Sequence, residues 1–356
     1  MNIDGLKKAV KSNPRLECFY MCMKSIKDKE IAKEMVGTKR SPNNLIVRTF
    51  GQENADKFIY YILLDESARF NGFCSLYRLV LMHLAYAESM MLTPVVCFGK
   101  NTLYFESSFE GSTNAFEYFF EPVSNIPYET VLCSKRVILA KGADAGAFGT
   151  TEAYAVPQEE INFLAPYLKK YIHLKNEIKA LFCSDLQNII AGNATLGVHV
   201  RATDFNKGYN RHPHVVSPEE YLEKTSQIFE KNEYKKVFLA TDDEFVVHLF
   251  KERFGNNLLY FPDTYRSQNG EAIHYGKIQE SRKYHKFMLG LEIIKDFYTL
   301  GYCAGLIAGN SNVSMCSRII KKSLGEEYKT LEIIDKGINH NMHETRGKFN
   351  SMLKNK

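Results

Sequence analysis

Arg201 closes an apolar run, Ala194 to Val200, that reads as a short buried strand, and the residues just beyond it, Ala202-Thr203-Asp204, are small, hydroxylated and acidic. A guanidinium at the tip of a buried strand is a planar fork that a rigid backbone can hold against phosphate oxygens. An isolated Arg-x-x-Asp also lets Arg201 and Asp204 pair with each other over the strand end, so the other strand ends must decide. Lys236 to Ala240 reads as a second strand and delivers Thr241-Asp242-Asp243 ahead of a helix from Glu244 to Phe254. Asp242 is expected to cap that helix, and two adjacent acids fit a metal site poorly. Ala304 to Ala308 is a third buried strand, followed by Gly309-Asn310-Ser311-Asn312-Val313-Ser314 and a helix ending near Lys321-Lys322. Amides at that helix start, with the Ser311 and Ser314 hydroxyls beside them, make an anion cradle.

The elements that must position these groups alternate between strand and helix, which is the pattern of an α/β protein with parallel sheets. Lys57 to Leu64 is a strand that leads through Asp65 and Glu66 to Asn71-Gly72-Phe73 and then to a helix from Ser75 to Met91; Thr93 to Phe98 is the next strand. The Gly72 loop is either a plain turn or a close backbone approach to an anion. Between Lys100 and Val156 the pattern is irregular and crowded with Tyr104, Phe105, Phe109, Phe116, Tyr118, Phe119 and Phe120, which suit core packing better than a sugar-stacking surface. Glu159 to Ile190 reads as one long or two short helices interrupted by Pro166 and closed by Gly192-Asn193. Ser217-Pro218-Glu219-Glu220 is a capping box that opens a helix. Leu258 to Phe261 and Leu331 to Ile334 are further strands. A long polar loop up to Arg282 offers Asp263, Arg266, His274 and Tyr275 to a cleft, and the helix from Tyr284 to Tyr302 carries Asp296 near its more polar side.

With 356 residues, 45% hydrophobic and 24% charged, the chain is long enough for two domains. We divide it into an extension over 1–42, an α/β domain over 43–192, a second α/β domain over 193–340 and a polar tail over 341–356. A formal net charge of +5 without a basic block argues against nucleic acid as a partner. Eight cysteines without paired CxxC spacing read as reduced core residues and not as a zinc site or disulfide framework. No secretory pattern and no run of about 18 apolar residues is visible, so the expected location is the cytoplasm, with at most peripheral membrane association.

Taken together, the Arg at one strand end, the paired Asp at the next, the acid on the following helix and the Gly-x-Ser-Asn-x-Ser helix start resemble the GDP-fucose fucosyltransferase superfamily, which includes α1,6-, α1,2- and protein-O-fucosyltransferases. The likeness is clearest from Leu196 to Ile320; the Asn71-Gly72-Phe73 loop is similar to the family's glycine loop. In the α1,6 branch the first motif runs His-x-Arg-Arg-Thr-Asp-Lys, and here it stands as His199-Val200-Arg201-Ala202-Thr203-Asp204-Phe205. The resemblance implies a GT-B-like fold of two Rossmann-like α/β domains facing across a cleft. It implies that Arg201 binds the donor β-phosphate, that His199 and Thr203 lie at the donor, that Asp242 and Asp243 shape its site, that Asp296 reads the guanine edge, and that Ser311, Asn312 and Ser314 contact the phosphates. Ala202 and Phe205 stand where the α1,6 enzymes have a second Arg and a Lys, and Tyr209 or Asn210 stands near their Glu, so the base is open among Asp204, His212, His214 and Glu66.

The expected activity is metal-independent, inverting transfer of fucose from GDP-fucose, as donor substrate and with no cofactor, to a hydroxyl of a glycan, a lipid-linked sugar or a protein. Three alternatives accompany it: another nucleotide sugar on the same fold, a catalytically silent nucleotide- or glycan-binding protein, and a metal-dependent enzyme using Asp242 and Asp243.

Overall fold

A computed structural model describes residues 46–108, 112–141, 156–191, 194–202, 212–232, 234–268 and 282–339. Two sheets organise them. In the first, β2 (Ile59–Leu64) lies between β3 (Thr93–Phe98) and β4 (Val137–Lys141), parallel to both, and the short β1 (Val47–Arg48) runs antiparallel on the outer side of β4. Helix α1 (Phe73–Ser89) makes the crossover from β2 to β3. β4 lies inside the stretch read as irregular; its Val-Ile-Leu-Ala run is a buried parallel strand whose partners are 78 residues upstream, from Ile59↔Val137 onward.

The second sheet is wholly parallel, in the order β7 (Leu258–Leu259), β6 (Lys236–Thr241), β5 (Thr195–Val200), β8 (Gly305–Gly309), β9 (Thr330–Ile334). The chain lays β6 and β7 to one side of β5 and then crosses back to lay β8 and β9 on the other. Between β5 and β8 the direction of winding reverses, and at such a switch point the helices diverge and open a crevice beyond the carboxyl ends of the strands. β5 and β8 are buried along their whole length, the signature of strands covered on both faces.

The helices follow from local signals. α5 (Pro218–Lys231) begins at the expected capping box: Ser217 Oγ accepts from the Glu220 amide, and the Glu220 carboxylate accepts from the Ser217 amide. α2 (Gln158–Tyr171) runs straight through Pro166, contrary to the expected interruption. Its buried stripe of Ile161, Leu164, Ala165 and Leu168 continues on both sides of the proline, and packing outweighs one lost backbone bond. The chain leaves the helix at Ile172, where Ile172 and Leu174 are buried and the backbone bridges to Phe120, before α3 (Asn176–Ala180) and α4 (Cys183–Ile190). α6 (Glu244–Phe254) follows β6, α7 (His285–Tyr302) precedes β8, and α8 (Asn312–Ser323) follows it.

The largest apolar cluster draws on both halves of the chain. Phe119, from the crowded aromatic stretch, stacks on Phe287 of α7 with ring centroids 5.2 Å apart and planes 9° from parallel. It also fills the space at Gly290, where a β-carbon would meet its ring at 2.5 Å. Tyr104, Phe116, Tyr118, Phe119 and Phe120 are all buried, so these aromatics are core, as expected, with each buried ring worth about 1.5–3 kcal/mol. Cys74, Cys97, Cys303 and Cys316 are buried free thiols, whereas Cys133 and Cys183 are exposed and depart from the core assignment because each ends or begins a short surface helix. The extension, the tail, the 192/193 boundary and Phe109 lie outside the described residues. Among the described residues no helix is long and apolar enough to cross a membrane.

Candidate donor site at the switch point

The site is built on three strand ends. β5 ends in His199, Val200 and Arg201. His199 is buried, and its Nδ1 lies 3.4 Å from Ser311 Oγ across the gap between β5 and β8. Burial, reinforced by the Arg201 cation, pushes its imidazole down to about 3, so the ring is neutral and the local positive charge belongs to Arg201. At the end of β6, Asp242 Oδ1 accepts from the Ala202 amide at 3.1 Å, and the Asp242 carbonyl accepts from Ser267 at 2.9 Å. Asp242 thus fixes the chain where it leaves Arg201. The helix cap is its neighbour: Asp243 Oδ1 accepts from the Phe245 amide at 2.9 Å and opens α6. The expectation that Asp242 caps is corrected. Asp242 is drawn instead to the Ala202 amide just beyond β5.

At the end of β8, Ser311 is the N-cap of α8 and forms a capping box with Ser314: Ser311 Oγ accepts from the Ser314 amide at 3.1 Å, and Ser314 Oγ accepts from the Ser311 amide at 3.2 Å. Ser314 Oγ also donates to the Gly309 carbonyl at 2.8 Å. Both hydroxyls are therefore occupied in shaping the turn. The amides of Asn312 and Val313, in the first turn, have no carbonyl four residues back within the helix.

Asp296 lies on α7 beneath these strand ends. It is buried, not on a polar face as expected, because the helix is covered on nearly every side. Burial pushes its carboxyl up to about 8, with Glu292 and Asp242 adding to the shift and Arg266 and Lys295 opposing it. Lys295 Nζ donates to both carboxylate oxygens of Asp263 at 2.9 Å, and Glu292 pairs with Arg282 and accepts from the Tyr265 amide at 3.1 Å. Arg266 donates to the carbonyls of Phe261 and Thr264 and lies 5.2 Å from the centre of the Tyr260 ring. The segment after β7 is thus pinned to α7 by charges. Asp263, expected to face a cleft, is used in that pinning, and Arg266, expected there too, bonds to the backbone of its own segment. Glu292, Lys295 and Asp296, spaced i, i+3, i+4 inside an apolar helix, are together the sequence signal of this buried charged cluster.

The first sheet contributes the start of α1. Gly72 is its N-cap, with no atom within 4 Å of where a β-carbon would stand. The Phe73 amide donates to Tyr104 Oη at 2.6 Å, and the Phe73 side chain, expected at the donor, is buried among Phe98, Tyr104 and Phe119. Asn71 donates to Ser75 Oγ at 3.3 Å. One residue into α1, Cys74 meets α8: Cys316 Sγ lies 3.5 Å from the Cys74 carbonyl. Cys74 feels the charges of both Arg201 and Asp296, so the start of α1 borders the same site. Burial and the neighbouring Cys316 hold that thiol well above the usual range.

The structure therefore brings together His199, Arg201, Asp242, Asp296, Ser311 and Ser314, with Asn312 in the first turn of α8 and Asn71-Gly72 at the border. Glu66 is exposed on a short turn and pairs with Arg69 at 2.6 Å. His214 is exposed, with its amide donating to the Gly337 carbonyl beyond β9. Thr203, Asp204, Tyr209, Asn210, His274 and Tyr275 lie outside the described residues. Among the described residues no group of three or more His, Cys, Asp or Glu side chains is arranged to hold a metal ion.

The chain matches no protein-family model and no curated protein. Among solved structures it is similar to fucosyltransferase NodZ from Bradyrhizobium, at 17% identity and a TM-score of 0.43 over 74% of this chain and 92% of that one. It is also similar to POFUT1 in complex with GDP, at 11% identity and a TM-score of 0.39 over 77% and 98% of the two chains. A mutant of Arabidopsis thaliana FUT1 in complex with GDP gives 11%, 0.43, 80% and 72%. These structures are of fucosyltransferases.

Proposed function

We propose that this chain is an inverting glycosyltransferase that moves fucose from GDP-fucose to a hydroxyl of a glycan, a lipid-linked sugar or a protein, without a metal ion and in the cytoplasm. One observation carries the reading: Arg201 and the first turn of α8 stand on the two strands that flank the switch point, bridged by His199 and Ser311. A cationic fork and a helix N-terminus aimed at one crevice are the groups that bind a diphosphate and stabilise charge on it as a leaving group. In that reaction the acceptor oxygen attacks the anomeric carbon in line with the departing GDP, and Arg201 with the amides of Asn312 and Val313 takes up the developing negative charge. A neutral His199 beside Arg201 avoids a second buried cation and receives or donates a hydrogen bond without changing the charge of the site.

Asp296 supplies the preference for guanine. Its carboxylate matches the two N–H donors on the guanine edge, and those donors favour the ionised form that burial otherwise opposes. Binding of a guanine nucleotide below pH 8 then expels a proton. A uracil edge does not offer the same donor pair. The acceptor proton goes to Asp204, His212, His214 or Glu66; the Glu66–Arg69 ion pair would have to open for Glu66 to serve.

The test is incubation of the protein with GDP-fucose, GDP-mannose and UDP-glucose in EDTA, with GDP or UDP release followed over time and the anomeric configuration of the transferred sugar read by NMR. Release from GDP-fucose alone, with inverted configuration, supports the reading. Release only after a divalent metal is added, or from UDP-glucose in preference, overturns it.

A further inference from the structure

Tyr221 lies in the first turns of α5, directly after the capping box whose Glu220 carboxylate also pairs with Lys336 at 2.5 Å, so the turn that carries it is anchored at both ends. The ring is buried in the apolar cluster that covers β5 and β8. Its hydroxyl oxygen packs directly against Gly309, the last residue of β8. The fit leaves no room for a side chain: a β-carbon on residue 309 would overlap the Tyr221 oxygen, whereas the next ring atom, Cζ, is 3.6 Å away. On its other side Gly309 receives Ser314 Oγ on its carbonyl. Gly309 is thus held from two directions, and three residues later come the two amides assigned to the diphosphate.

We propose that Tyr221 is a positioning residue for the diphosphate: through Gly309 it sets where β8 ends and therefore where the amides of Asn312 and Val313 point. The role rests on the reading of the site as a nucleotide-sugar site. Tyr221 touches no reacting atom; its effect passes entirely through the main chain of the turn. It must therefore act on the phosphate part of a ligand and leave the base part alone.

The experiment is calorimetric titration of the full chain with GDP and, separately, with guanosine, for wild type, Tyr221→Phe, Gly309→Ala and the double variant. Loss of the hydroxyl that packs against the turn lowers GDP affinity roughly fivefold in Tyr221→Phe and leaves guanosine affinity unchanged. Gly309→Ala loses more, because the new methyl displaces the turn from the hydroxyl. In the double variant the hydroxyl is gone and the methyl meets only Cζ, so GDP affinity returns to the level of Tyr221→Phe. Equal GDP affinity in wild type and Tyr221→Phe overturns the proposal, as does a parallel loss for GDP and guanosine, or additive losses in the double variant. A wild type that binds no GDP at all overturns the nucleotide-sugar reading itself and this role with it.

Discussion

The two sheets present the same kind of edge and use it differently. Each has a buried parallel strand that runs into a turn with a glycine and then a helix: β2 into Gly72 and α1, β8 into Gly309 and α8. At the first edge the polar groups satisfy one another. Asp65 accepts from the Asn101 amide at 2.8 Å, Glu66 pairs with Arg69, and Tyr104 caps the Phe73 amide. At the second edge His199, Asp296 and Ser311 are buried, and the first two are displaced far from their ordinary ionisation. A strand–turn–helix is therefore only a frame. What distinguishes the second edge is that titratable side chains, His199 on a strand and Asp296 on a helix, are kept out of water there.

The largest effect expected from this contrast is on the pH dependence of stability. Asp296 holds a proton up to about pH 8 in the folded chain and only to about pH 3.9 when unfolded, so between these values the native state binds the extra proton and stability falls as pH rises, by about 1.4 kcal/mol per pH unit. His199 acts in the opposite sense. Its folded value of about 3 lies below the unfolded value of about 6.5, so the unfolded state binds the extra proton there and stability rises with pH across that window. From about pH 4 to 6.5 the two slopes offset each other, and from 6.5 to 8 only the fall due to Asp296 remains. Denaturant unfolding of Asp296→Asn should abolish that fall and uncover the His199 rise below pH 6.5; an unchanged profile would mean that the second edge is as ordinary as the first.

Next in size is the loss of the guanidinium. Arg201→Ala should weaken GDP binding by about 2–3 kcal/mol, roughly 30- to 150-fold, while Glu66→Ala at the first edge should change it by less than about twofold, both read by calorimetry. A smaller effect separates the two glycines. Gly309→Ala overpacks against Tyr221 and should cost about 1–3 kcal/mol in thermal or chemical unfolding. Gly72 has a φ of −65° and open space, so Gly72→Ala should stay within about 1 kcal/mol of wild type. If the two alanines cost the same, the close packing of the β8 turn is not what distinguishes the edges.

Much of the frame was legible in the residues. The apolar run into Arg201, the capping box at Ser217 and the small-residue strand before Gly309 are local patterns, and each became the element expected. Other features depend on partners distant in sequence. Val137–Lys141 is a strand because β2 lies beside it, Pro166 is tolerated because a buried stripe continues past it, and Asp242 leaves the cap to Asp243 because the Ala202 amide is within reach. Phe73 reads like a loop residue next to Asn71-Gly72 until the aromatic cluster that buries it is assembled. Likewise Tyr221 is one tyrosine among 21 in the sequence, and its meaning comes only from the glycine across the sheet.

The most direct measurement is a crystal structure of the chain soaked with GDP. The account places the diphosphate between the Arg201 guanidinium and the amides of Asn312 and Val313, with the guanine edge on the Asp296 carboxylate. A diphosphate bound instead at the Gly72 turn of the first edge, with Arg201 turned away from it, would contradict the assignment of the site to the switch point between β5 and β8.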